Sequence, residues 1–440
     1  MLAVVTTASA RRTTILSNIS SLKFIATELF MCRLPTLSII YIPSYETEIK
    51  MKNYKELIAE NRAWAEESLK RVDAKMSKVT LRSRNKLPDG VDENGIHVDH
   101  SGEQANWWTN GFWGGLNLLL YNYTKNENYL LTAQSSEKLL DVALSNYDVL
   151  HHDVGFMWNL VSGALYNLTG DKASRTRNLF AANTLAGRYV IPDNHDLGFI
   201  KAWNGKEAYS WTIIDCLMNL PILYFASRET GDDRFKRIAM SHADMAIRDH
   251  LRADGSVVHI AEHSRETGEC VKTYSGQGSG DGSSWSRGQA WALYGFTISY
   301  IHTGEERYLN AAKQVANYFI ANCCDDWLPR VDFRAPSEPV YYDSTAGCCA
   351  ACGLLELAKR LPENEGGMYA HAAIKMLQAI EEKFGNFDPA TDDMIGYGTV
   401  RYPADSVLKG NPGLHISIIY ADFFYTEAIL KLLGDEFFAW

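Results

Sequence analysis

A chain of 440 residues with 46% hydrophobic and 22% charged residues has the balance of a globular protein with an extensive core. Its formal net charge of −10, with no long run of Lys or Arg, excludes a nucleic-acid partner held by a basic stripe. Aromatic residues reach 12%, with 11 Trp and 23 Tyr, more than a core requires, and so point to stacking surfaces of the kind that hold sugars.

Residues 1–50 are rich in Ser and Thr, with Arg11, Arg12 and one apolar piece, LPTLSIIYI. That piece is too short to span a bilayer and contains a Pro. It also lies too deep for a secretory signal and lacks the small-residue cleavage site, so no membrane association is expected. Met51 opens MKNYKELIAENRAWAEESLKRVDAKM, an amphipathic helix that reads as a natural start. The expectation is a disordered leader or mis-called start over residues 1–50, then a single domain over residues 51–440.

From Asn110 onward the pattern is mostly helical, with apolar residues at three and four spacing in GFWGGLNLLLYNYT, WTIIDCLMNLPILYFASRET and GQAWALYGFTISYIHTG. A turn recurs between helices: TKNENY at Thr124, TGDKAS at Thr169, TGDDRF at Thr230 and TGEERY at Thr303. Gly supplies the left-handed position that ends one helix, and Asp or Glu favours the start of the next. The intervals are roughly 45 to 75 residues, so the repeating unit is a helical hairpin. Hairpins must bury their apolar faces on one another, in an open solenoid or a closed ring. Uneven repeat lengths, Gly-rich insertions such as YSGQGSGDGSSWS, and Trp, His and Asp gathered at helix starts favour closure. The fold expected is an all-α (α/α)6 barrel.

Cys349 and Cys352 form a C-x-x-C, but TAGCCAACGLLELAK reads as an apolar helix without a second pair or His cluster at zinc spacing. Free buried thiols in a reducing cytoplasm are the simpler reading, with no metal site.

Asp153, in HHDVGFMW, falls at or just inside a helix start, where it could cap the helix or do chemistry. Asp215, in SWTIIDCLMNLPIL, reads as mid-helix among Ile213, Ile214, Cys216 and Leu217; it cannot be a cap there, and an unpaired buried carboxylate is costly. Brought together inside one barrel, two carboxyls repel, and with desolvation this raises the pKa of at least one and poises it as an acid. One protonated and one ionised carboxyl is the pairing used in glycoside chemistry. His259, Gln277, Trp285, Arg287 and Gln289 add donors and a cation. Each has a plain structural alternative: His259 a satisfied histidine, Gln277 a loop residue, Arg287 the partner of a buried acid. Arg287 could equally recognise a substrate carboxylate with its planar fork. Trp108 and Trp203, beside Asn, Thr and Gly, are the candidates for a sugar-stacking wall.

In order and spacing, WTNGFWGG, HHDVGF, AWNG, IIDCLMNLP, QGSGDGSSWSRGQAWALYGF, DFRAPSEP, DSTAG and DFFYTEAILKL resemble the unsaturated glucuronyl hydrolases of glycoside hydrolase family 88. The resemblance spans roughly residues 100 to 435. It implies the (α/α)6 barrel, no cofactor, and action on unsaturated uronic-acid oligosaccharides left by polysaccharide lyases, by hydration of a vinyl ether. It further implies that Asp215 is the general acid/base and Asp153 the second essential acid, with His152, Trp108, Trp203, His259, Gln277 and Arg287 around the ring. In IGYGTVRYPADSV the chain departs from better-known relatives, and Arg401 or Lys409 is the candidate there for an anionic group on the next sugar. Rival readings are an unsaturated rhamnogalacturonyl hydrolase acting on pectin fragments, a direct glycosidase or lyase, and a non-catalytic carbohydrate-binding barrel. A cytoplasmic monomer or weak homodimer is expected.

Overall fold

The computed structural model describes residues 52–193, 197–205, 209–323, 325–403 and 413–440. Residues 1–50 and Lys409 lie outside these, so the expectations for them do too.

Helix α1 (Tyr54–Arg82) starts at a capping box: Glu56 N–H donates to Asn53 Oδ1 at 3.0 Å and Asn53 N–H to Glu56 Oε2 at 2.9 Å. Next come α2 (Asn110–Thr124), α3 (Glu127–Leu144), a π-helical stretch (Gly155–Gly163) continued by α4 (Ala164–Thr169), and α5 (Lys172–Ala186). A 3-10 turn (Ile214–Met218) leads into α6 (Pro221–Thr230), followed by α7 (Asp233–Asp249), α8 (Ser286–Thr303) and α9 (Glu306–Asn322). The last three are α10 (Ser344–Arg360), α11 (Glu363–Phe384) and α12 (Ile419–Leu432).

Packing sorts these into two rings. Helix α2, the π-helix with α4, the 3-10 turn with α6, α8, α10 and α12 each contact the next, and α12 returns to α2, which closes the inner ring. The odd-numbered helices pack behind them. Composition explains the sorting. Helix α8 is buried without a break from Ser286 to Ser299 and α10 from Ser344 to Ala358, as inner helices must be. Outer α7 and α9 bury one face only. The (α/α)6 barrel expected from the sequence is the fold observed.

The recurring turns join inner to outer helices. Lys125, Gly170, Gly231 and Gly304 all take the left-handed conformation. The Thr before each turns its hydroxyl back onto the carbonyl four residues earlier, as Thr169 does onto Leu165 O at 2.7 Å. Asn126, Asp171 and Asp232 then cap the outer helix.

Connections from outer to inner helices are longer and carry short antiparallel strands. β1 (Pro88–Val91) pairs with β2 (His97–Asp99), and β3 (Tyr189–Val190) with β4 (Phe199–Ile200). β5 (Trp211–Ile213) pairs with β6 (Ile260–His263), which pairs with β7 (Cys270–Tyr274). Here a sequence expectation fails. Asp215 is not mid-helix: Trp211 to Ile213 are drawn into the sheet, and α6 begins only at Pro221, whose ring disfavours helix before it. Asp215 therefore sits in the short turn between strand and helix.

Burial holds His97, His152, His250 and His302 down at about 4 in the folded protein. The unfolded chain binds protons at these positions from about pH 6.5 downward while the native state does not, so stability falls as pH drops from about 6.5 to 4. Denaturant midpoints measured across that range are expected to decline steadily; a flat profile contradicts the neutral burial of these rings.

Candidate active site

The starts of the inner helices and the loops before them enclose a cavity of about 320 Å³. Eight of the residues singled out from the sequence line it, Trp108, His152, Asp153, Trp203, Asp215, His259, Gln277 and Arg287, as do Trp285 and Arg401; Gln289 does not, being fully buried with Nε2 donating to Ser284 Oγ at 3.1 Å.

Asp153 lies just before the π-helix and does not cap it. Its carboxylate is committed elsewhere. Asn219 Nδ2 donates to Oδ1 at 3.1 Å, while His151 Nδ1 and His152 Nε2 lie 3.2 and 3.3 Å from Oδ2. Burial by itself pushes this carboxyl up, but the imidazoles of His152 and His151 and the Asn219 amide outweigh it and hold the group at about 2. The rise expected from carboxyl repulsion is thus reversed at Asp153, because its neighbours are donors. Burial keeps His152 at about 4, so its ring is neutral at neutral pH beside an ionised Asp153.

Asp215 has the opposite environment. Its side chain is 17% exposed, and Oδ1 has no hydrogen-bond partner. His259 Nε2 lies 3.5 Å from that oxygen. His259 is fixed from behind: Gln277 N–H donates to Nδ1 at 3.0 Å and Ser275 O lies 3.3 Å from the same nitrogen, so Nε2 is the nitrogen left facing Asp215. That loop can approach because residue 276 is glycine at φ +59°; a Cβ there would fall 2.1 Å from Nδ1. Trp285 packs on the other side of the imidazole, centroids 4.4 Å apart.

Trp108 packs on Tyr420 and Phe156, at 5.1 and 5.4 Å. Trp203 is 38% exposed on the cavity rim. Its loop is tied to the histidine segment by Arg188, which donates to Leu150 O, Ala202 O and Asn204 Oδ1. Trp113 and Trp158 are wholly core.

Arg287 lines the cavity, yet its fork is occupied. Nη1 donates to Asp343 Oδ2 at 2.5 Å and to Thr399 O at 2.7 Å, and Nη2 to Val400 O at 2.6 Å. Gln277 Nε2 also donates to Val400 O. These two side chains hold the segment that carries Arg401 at the cavity edge. Arg287 thus has the partnership with a buried acid that its structural alternative describes.

Sequence reasoning passed over Asn219, His151, Asp89 and Tyr420. Asp89, in β1, lines the cavity and accepts from Thr109 Oγ1 at 2.7 Å. Asn219 carried the same signal as Asp215, a polar residue in an apolar run, four positions on.

The model of Glycosyl Hydrolase Family 88 matches residues 75–383. The unsaturated glucuronyl hydrolase of Bacillus sp. (strain GL1) is 36% identical over 335 residues, 74% of this chain and 86% of that protein. The unsaturated chondroitin disaccharide hydrolase of Streptococcus pneumoniae is 33% identical over 342 residues, 76% of this chain and 83% of that protein. A solved structure of a UGL variant with dGlcA-Glc-Rha-Glc superposes with a TM-score of 0.75 at 32% identity, covering 82% of this chain and 96% of that one. With its barrel, its cavity and a family match across most of its length, the chain belongs to Glycosyl Hydrolase Family 88 and is a glycoside hydrolase.

Proposed function

We propose that the protein is an unsaturated glucuronyl hydrolase, removing a 4-deoxy-4,5-unsaturated uronic acid from the non-reducing end of lyase-generated oligosaccharides. The observation that carries this reading is the contrast between two acids in one cavity: Asp153 held by Asn219 and flanked by two imidazoles, Asp215 with a carboxyl oxygen, Oδ1, that no hydrogen bond engages. Asp153 stays ionised, and Asp215 is the group free to exchange a proton with a bound ring. Relatives named for unsaturated glucuronyl and chondroitin disaccharide substrates support the same chemistry.

In this mechanism Asp215 gives its proton to C4, the resulting oxocarbenium ion takes water at C5, and the water's proton returns to the Asp215 carboxylate. The C5 hemiketal opens to a ketone, and the hemiacetal left at C1 expels the aglycone sugar. Trp108 and Trp203 wall the ring, and His259 and Gln277 stand beside Asp215. Because attack is at C5, carboxylate-separation rules for retention or inversion at C1 do not apply.

The test is a set of lyase-generated disaccharides, from glycosaminoglycans and from pectin, incubated in heavy-oxygen water. Expected is loss of the unsaturated-uronide absorbance and label at C5 of the released keto acid. Label at C1 assigns direct glycoside hydrolysis instead, and faster turnover of the pectin disaccharide assigns the rhamnogalacturonyl class.

A further inference from the structure

Asn219 is fully buried and makes three contacts with parts of the chain that are distant in sequence or carry chemistry. Its Oδ1 accepts the Phe156 N–H at 2.7 Å, capping from outside the helix that Asp153 leaves uncapped. Its Nδ2 donates to Asp153 Oδ1 at 3.1 Å and approaches Asp215 O at 3.4 Å. The amide orientation is settled by chemistry, since the peptide N–H needs an acceptor and the carboxylate a donor. The helix has been cut to fit: residue 155 is glycine, and a Cβ there would lie 2.6 Å from Asn219 Cα. The π-helical stretch begins at that same glycine, a distortion often found beside functional sites.

We propose that Asn219 is a positioning residue that ties the Asp153 helix start to the Asp215 turn, one amide orienting Asp153 and setting the spacing of the two acid-bearing segments. The proposal rests on the hydrolase reading above. Asn219 acts through Asp153, whose other charged or titratable neighbours are His151 and His152 on its own segment, Asp215 and Cys216 on the facing turn, and Arg188 behind. Among these the Asn219 amide is the donor to Oδ1, so its loss cannot be made good by the imidazoles on Oδ2.

Asn219→Asp separates positioning from simple support. The substituted carboxylate still accepts the Phe156 N–H, so the helix cap is kept, but the donor facing Asp153 becomes a second negative oxygen. Expected is a kcat lower by about 10²-fold, a KM changed less than about threefold, and an acidic limb of the pH–rate profile displaced upward as the two carboxyls share a proton. A kcat and pH profile matching the parent protein overturn the proposal. The exchange variant Asp153→Asn/Asn219→Asp covers the case in which the single variant does not fold. It restores one donor and one acceptor with their roles reversed, so its thermal midpoint is expected to recover above that of Asn219→Asp while activity stays low. No recovery means the two side chains are not paired, which also overturns the proposal. Because that readout needs no substrate, it stands apart from the substrate assay: absent turnover by the parent protein refutes the hydrolase reading, whereas an unrecovered midpoint refutes the role of Asn219.

Discussion

Asp215→Asn is expected to leave the fold intact and lower kcat on unsaturated disaccharides by at least about 10²–10⁴-fold, the scale of losing a positioned acid/base group. Stability should be spared because the native carboxyl holds nothing in place: Oδ1 has no hydrogen-bond partner and His259 Nε2 is 3.5 Å away. An Asn of the same shape neither opens a cavity nor strands a donor. KM should change little, since the amide fills the same volume against the ring and only the transferable proton is gone. The checks are steady-state kinetics by loss of uronide absorbance and a thermal midpoint within about 2 °C of the parent, as befits a change with no large stability mechanism behind it. Turnover retained within tenfold would sink the assignment of Asp215, whatever the stability.

The contrast between Asp215 and Asp153 is what the sequence could only half convey. Both acids were conspicuous against apolar neighbours, and both line the cavity. Their environments were only partly legible: His151 and His152 stand beside Asp153 in the chain, but Asn219 lies 66 residues from it, His259 reaches Asp215 from the separate segment leading into β6, and the turn at Asp215 has a geometry the pattern misrepresented. The same Asn219 caps the Asp153 helix at Phe156, 63 residues away. The helical reading of WTIIDCLMNLPIL failed for a physical reason: apolar spacing there fits a helix, but β6 offers Trp211 to Ile213 a strand partner and Pro221 delays the helix. By contrast, the Thr-Gly turns were largely legible, since their chemistry is local: a left-handed Gly and an acidic cap within a few positions, although Lys125 takes the Gly place in the first turn and Glu305 in the last makes no side-chain cap. The ring of helix starts followed from those turns, because hairpins joined at one end must present their other connections together.

Arg287 exposes the same limit, and its replacement is the second large effect expected. As a cation beside a candidate sugar site it could serve a substrate carboxylate. In the structure it is 1% exposed, and its Nη atoms are engaged by Asp343, Thr345, Thr399 and Val400. Asp343 is itself fully buried and accepts the Thr345 and Thr399 N–H groups through Oδ1, so the pair fastens the start of α10 to the segment carrying Arg401. Arg287→Ala leaves that carboxylate buried without its counter-charge, which is expected to cost about 3–5 kcal/mol. Adding Asp343→Asn removes the stranded charge while Oδ1 continues to accept both N–H groups, so part of the loss should return. Denaturant unfolding of the two variants measures both numbers, and substrate KM is expected to rise in each as the Val400–Arg401 wall loosens. If Arg287 served only to read the substrate, Arg287→Ala would keep its stability within about 0.5 kcal/mol and raise KM alone, and Asp343→Asn would restore nothing. The sign of the second substitution thus separates an arginine that builds the cavity wall from one that binds the ligand.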